Sequence, residues 1–149
     1  MTIKFYRERD EPYGCFSNFS HHPFTLDDHE WITVEHYFQA QKFPDTPLYL
    51  QIKDAPAPMA AKVLGNSREY PLRADWEQVK DGIMIEAVYQ KFLAHKHIRT
   101  VLLSSGDEPI EEAARNDAYW GTGQDGLGRN QLGKTLMIVR DRLRKEGHG

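Results

Sequence analysis

Glu35 and Lys42 stand seven residues apart in "TVEHYFQAQKF". The pattern predicts a helix from about Val34 to Phe43, with Thr33 as its N-cap and Pro44 as its stop. At ~100° per residue the two side chains fall within about 20° of one face, two turns apart. Gln39 lies between them, and Trp31, Tyr37, Phe38 and Phe43 surround them with aromatic surface. A carboxylate and an amine withdrawn from water suit acid–base and nucleophilic work, because desolvation raises the pKa of one and lowers that of the other. The same spacing also describes a solvated helix face with ordinary surface charges, which is the commoner arrangement.

Other residues carry chemistry of the same kind. Asp117 lies just before Trp120, where a carboxylate could act on a sugar. Trp76 and Trp120 are either core residues or platforms for a flat heterocycle, since an indole face stacks well on a base. Cys15, between Gly14 and Phe16, reads as a packed thiol, with no base identifiable beside it. The seven histidines, His36 beside Glu35 included, show no H-E-x-x-H or comparable spacing, so no metal is expected.

A glycine-rich stretch near the C-terminus satisfies two nucleotide-binding patterns. "GRNQLGKT", Gly128 to Thr135, fits G-x-x-x-x-G-K-T, and "GTGQDG" fits G-x-G-x-x-G. A phosphate-binding loop of the first kind needs a buried strand leading into it, and "ARNDAYWGTGQD" has no β-branched run. The second needs a βαβ unit and a later ribose-binding acid, and both are missing. Amphipathic spacing turns Lys134 away from Leu132 and Leu136, and Gly133 reads as a site of close helix packing. Two readings of "WGTGQDGLGRN" stay open. It is an anion site of backbone N–H groups with Arg129 adding charge, or a plain turn with Asn130 as N-cap.

These residues must be positioned by a chain of 149 residues, enough for one domain with a real core. Composition is ordinary for a globular protein: 40% hydrophobic and 28% charged, with aromatics rich at 11%. A net charge of −3 gives no general reason for nonspecific nucleic-acid binding. One cysteine and no apolar run near ~20 residues point to a cytoplasmic protein without a membrane span or leader. "TIKFY" is a strand candidate, and "PFTLDDHEWITV" a hairpin turning at Asp27-Asp28. Further helices are expected over "APMAAKVLGN", from Asp75 to Leu93 with an Asp75/Gln78 capping box, over "HIRTVLLSSG", over "DEPIEEAARND" and from Asn130 or Gln131 to Lys145. The expectation is a mainly α-helical α+β domain, residues 1–149, with a small antiparallel sheet.

The strings "YGCFSNFS", "WITVEHYFQAQKF", "DWEQVKDGIMIEAVYQKF" and "NDAYWGTGQDGLGRNQLGKTLMIVR", in that order, resemble the signature blocks of the NADAR family. The resemblance runs from about Phe5 to Leu143. It implies a mainly helical fold and cleavage of a ribose C1–N bond without a cofactor. In the bacterial stand-alone branch the substrate is a phosphoribosylamino-pyrimidine of riboflavin biosynthesis, cleaved to ribose 5-phosphate and free base. Another branch removes ADP-ribose from guanine in nucleic acid, and a module that binds ADP-ribose or NAD without turnover is a further alternative. The resemblance also implies catalytic roles for Glu35, Lys42 and Asp117. Lys42 matches a lysine implicated in a covalent sugar adduct. Asn18, Trp76, Trp120, Gly121, Gly123 and Arg129 are the expected substrate contacts, Trp76 stacking on the base and Arg129 with the glycine loop meeting the phosphate.

Overall fold

The structure is a computed structural model describing residues 1–148. Its elements in chain order are β1 (Ile3–Phe5), β2 (Phe24–Leu26), β3 (His29–Trp31), α1 (Val34–Ala40), α2 (Pro47–Lys53), α3 (Pro58–Gly65), α4 (Trp76–Ala94), α5 (Lys96–Ser104), β4 (Ile110–Glu112) and α6 (Gln131–Lys145), with a single 3-10 turn at Tyr13–Phe16. This is the mainly helical α+β fold expected. No described helix is long and apolar enough to cross a membrane.

Helix α1 is the centre of the molecule. All seven of its residues are buried, with α2, α3 and α4 packed against it. A helix covered all round leaves its polar side chains no water, so each needs an internal partner. Thr33 caps it, its Oγ1 accepting from His36 N at 3.2 Å. The His36 ring is held on both nitrogens, by Thr33 Oγ1 at 2.8 Å and Ala55 O at 3.0 Å, which fixes it as a core histidine. The helix stops at Ala40, earlier than expected. Lys42 N and Phe43 N then bond Gln39 O and Ala40 O, so Lys42 sits on a tightened turn just past the helix.

The β2–β3 hairpin is antiparallel, with Phe24 opposite Trp31. Asp27 and Asp28 have φ of 55° and 64°, the left-handed pair that a two-residue hairpin loop demands. Tyr37 Oη donates to Asp27 Oδ2 at 2.7 Å and docks the hairpin on α1.

Three local expectations are corrected. The segment "DEPIEEAARND" is no helix. Ile110–Glu112 forms β4, parallel to β1, with Ile3 opposite Ile110 and Phe5 opposite Glu112. Long-range pairing overrides the helical bias of "IEEAA", and Ile110 becomes fully buried. The Asp75/Gln78 capping box does not form, because Asp75 takes a bidentate ion pair with Arg73 at 2.7 and 3.2 Å. Asn130 does stand at the N-cap position of α6, but it is left-handed, at φ 53°, and its side chain makes no helix cap. It bridges to β4 instead, accepting from Glu112 N at 2.9 Å and donating to Ile110 O at 2.8 Å. Gly133 packs where expected. A Cβ there would run into Ile110 O and the Asn130 side chain, so the glycine lets α6 approach β4. Lys134 is exposed, away from the buried Leu132 and Leu136.

Candidate active site

Five of the expected residues, Asn18, Glu35, Lys42, Asp117 and Trp120, line one cavity of about 740 Å3. That is ample for a phosphorylated nucleoside-sized ligand, within the usual range of about 300–1,000 Å3. They come from three parts of the chain: Asn18, the segment of Glu35 and Lys42, and the loop of Asp117 and Trp120. Asn18 follows the 3-10 turn, and its carbonyl accepts from Glu35 N at 3.1 Å. The same segment is fixed from behind by Lys91, a fully buried amine that donates to Ser17 O at 3.0 Å. Asp117 is set by its own loop. Its Oδ1 accepts from Tyr119 N at 3.0 Å and Trp120 N at 2.9 Å, and Oδ2 has no partner among the described residues. Trp120 is half-buried and meets Phe38 edge-on at 5.2 Å.

Four expected contacts lie elsewhere. Trp76 is only 5% exposed and packs under Phe38 at 5.0 Å, so no face is free to stack on a base. Its ring centre is 5.9 Å from Lys42 Nζ, which makes it the floor beneath the amine. Gly121 and Gly123 are buried in loop packing: a Cβ on Gly121 would press on Ala114, and Gly123 holds φ 73° against Ala118. Arg129 is exposed and lies over the Tyr119 ring at 4.8 Å, not in the cavity wall.

Sequence reasoning missed Glu112, Gln39 as a wall residue, and Lys62. Glu112 was hidden by the mistaken helix. Only the strand pairing brings it beside Asp117 and Glu35. Gln39 shares the face of Glu35, as its spacing predicts, and its Nε2 donates to Glu35 Oε2 at 2.7 Å. Lys62 carried no linear signal beyond being a lysine on a short helix.

The charges perturb one another. Burial pushes Glu35 above the ordinary carboxylate range, with Asp117 adding to the push, while the Gln39 bond, Lys62 and Lys42 oppose it. Glu112 is pushed up to about 7, first by burial and then by Asp117 and Glu35, with Lys62 opposing. Burial lowers Lys42, Glu35 pulls it back up, and Lys62 and Lys80 push it further down. Lys42 Nζ lies 3.4 Å from Gly65 O. Glu35, Glu112 and Asp117 with the depressed Lys42 amine in one cavity form a proton-transfer and nucleophilic constellation.

Residues 4–144 match the NADAR domain. The chain is 50% identical over 147 residues to N-glycosidase Npun_R5314 of Nostoc punctiforme, covering 97% of this chain and 94% of that protein. It is 44% identical over 141 residues to N-glycosidase YbiA of Escherichia coli K12, covering 95% and 88%. The NMR structure of YbiA superposes with a TM-score of 0.90 at 42% identity, over 100% of this chain and 89% of that one. Riboflavin biosynthesis protein VVA0006 of Vibrio vulnificus is 41% identical over 147 residues, 97% of this chain but 39% of that longer protein. By family, then, the chain is a NADAR-domain protein.

Proposed function

We propose that the chain is an N-glycosidase that hydrolyses the ribose C1–N bond of a phosphoribosylamino-pyrimidine, releasing ribose 5-phosphate and the free base. The observation that carries this reading is the meeting of Glu35, Glu112 and Asp117 with Lys42 in one half-buried cavity. The relatives named as N-glycosidases support cleavage of an N-glycosidic bond, and the relative named as a riboflavin biosynthesis protein supports a substrate from that pathway.

Breaking the bond puts positive charge on the sugar and negative charge on the leaving nitrogen. Glu112, titrating near 7, gives its proton to that nitrogen. Glu35, held by Gln39 and flanked by Lys42 and Lys62, faces the developing positive charge. Before the bond breaks the ring opens: the exocyclic nitrogen forms an imine with C1, its proton passes to the departing ring oxygen, and the Lys42 amine adds to C1. The base amine then departs with a proton, leaving an imine between C1 and Nζ. Water, directed by the free Oδ2 of Asp117, adds to that imine and restores both the sugar aldehyde and the lysine. Trp120 and Phe38 give the base an aromatic wall.

The test is release of free base and ribose 5-phosphate by wild type and Glu35→Gln. The variant keeps the shape of the group and removes its charge. A loss of about 10²–10⁴ in kcat is expected, with circular dichroism unchanged. Near-wild-type turnover would remove Glu35 from the mechanism.

A further inference from the structure

The proposed reaction needs the Lys42 amine without its extra proton, because only the free amine has a lone pair for C1. Three neighbours work against that. The Glu35 carboxylate, the Gly65 carbonyl at 3.4 Å and the Trp76 ring at 5.9 Å all favour the ammonium. Burial works for the free amine, and so does a cation nearby whose charge is not spent on an acid.

Charged groups come toward Lys42 from each element around it. Helix α1 brings Glu35, and Glu112 and Asp117 face it across the cavity. Arg7, Glu8 and Arg9 line the cavity from the N-terminal segment, Arg7 paired with Asp10 at 3.2 Å. Arg73, whose backbone N–H donates to Lys42 O, is committed to Asp75 at 2.7 Å. Lys80 of α4 pairs with Glu77 at 2.7 Å and lies 4.0 Å over the Tyr119 ring. Lys62 of α3 differs. It lines the cavity and forms no ion pair among the described residues, and its ammonium rests 6.0 Å from the Phe19 ring centre.

The fold puts Lys62 where that charge counts. It stands three residues before Gly65, so the two share one side of α3. Gly65 is where α3 meets the reacting groups. Its carbonyl faces Lys42 Nζ, and it leaves no room for a Cβ beside the Gln39 side chain that holds Glu35. Phe19 follows Asn18, whose carbonyl accepts from Glu35 N at 3.1 Å. Both anchors of Lys62 therefore adjoin the residues that hold Glu35 and Lys42. Burial sets the main direction for Glu35, Glu112 and Lys42, and on top of it the Lys62 charge draws all three lower.

We propose that Lys62 is a positioning residue for the reaction: its unpaired ammonium beside Lys42 keeps that amine in the free form that attacks C1 and keeps Glu35 ionised. This rests on the N-glycosidase reading only for the use made of the Lys42 amine. A cation disfavours a second cation nearby and favours an anion, so removing the Lys62 charge raises the pKa of Lys42, Glu35 and Glu112 together.

Labelling tests the role without substrate or turnover. Acetic anhydride acylates free amines only, so its reaction at residue 42 across pH, read by peptide mass spectrometry, follows the Lys42 proton. The exposed Lys134 is the reference in the same chain. In Lys62→Met and in Lys62→Gln the Lys42 midpoint moves to higher pH, labelling at about pH 7 falls roughly threefold to tenfold, and Lys134 is unchanged. Lys62→Arg keeps the cation and the wild-type midpoint. A merely structural Lys62 would change melting temperature and reagent access, not the midpoint. Midpoints that stay in place in the neutral variants, or that move as far in Lys62→Arg, overturn the role. Turnover of the phosphoribosylamino-pyrimidine separates this claim from the activity. Both limbs of kcat/KM against pH move up in Lys62→Met and neither moves in Lys62→Arg. Shifted labelling midpoints with no turnover in wild type uphold Lys62 and overturn the activity; wild-type turnover with fixed midpoints overturns Lys62 alone.

Discussion

Glu112 carries the pH dependence of the proposed chemistry. Its carboxyl is raised to about 7, so the protonated form persists up to that pH and is lost above it. A proton donor must be protonated, so kcat/KM falls as pH rises through about 7. Glu112→Gln keeps the shape and removes that titration. The expected outcome is a rate lower by about 10²–10⁴ and the loss of the alkaline limb. An unchanged limb in the variant would assign the proton to another group. Lys42 is tested by trapping. Borohydride added with substrate reduces a C1–Nζ imine to a stable secondary amine, leaving a sugar-phosphate mass at residue 42. Lys42→Arg keeps the positive charge but offers no amine nucleophile, so adduct and turnover both vanish. An active Lys42→Arg enzyme without adduct would leave water to attack C1 directly. The pairing of Glu35 with Lys42 was legible in the sequence because both lie on one short segment. Glu112 was not, because its partners are brought to it by β1 and by Asn130, a residue 18 positions away. Trp76 shows the opposite limit: a string can mark a residue near the site without saying whether its face is open.

At the scale of elements, the site depends on close contacts that helical periodicity does not encode. Gly65, the last residue of α3, is one. A Cβ there would strike the Gln39 side chain. Alanine suits a helix better than glycine, so Gly65→Ala gains local propensity while displacing Gln39 from Glu35. The expected result is a roughly tenfold loss of kcat with little change in melting temperature, since a hydrogen bond to a carboxylate is worth about that factor. Full activity would mean that Gln39 does not hold Glu35 in the working enzyme. The helices with clear apolar spacing, α4 and α6, and the Asp27-Asp28 hairpin were readable from local pattern. Helix α2 shows no clear local pattern, standing between Asp45, at φ 62°, and Asp54. Strand β4 was misread because three residues of strand, stabilised by a partner more than a hundred positions away, leave no local period.

At the scale of the whole molecule, the two nucleotide-binding patterns dissolve into packing. Gly128 and Gly133 admit backbone and side-chain neighbours that any Cβ would strike, and the amides between them mostly serve their own loop. The cavity is assembled instead from both ends of the chain around α1, with Arg7 and Arg9 from one end and Asp117 and Trp120 from the other. That assembly explains why fold class was accessible from composition and helix count while half the wall was not. The wall is built from several short segments far apart in the chain, which only the fold brings together. The central claim is that this cavity cleaves a phosphoribosylamino-pyrimidine. Its most direct test is a side-by-side measurement of kcat/KM for a phosphoribosylamino-pyrimidine and for ADP-ribosylated guanine in DNA, following free base and sugar product. Efficient release of ribose 5-phosphate from the pyrimidine, with the ADP-ribosyl substrate cleaved at least about tenfold less well, is the predicted result. Preference for the ADP-ribosyl substrate, or turnover of neither, would contradict it.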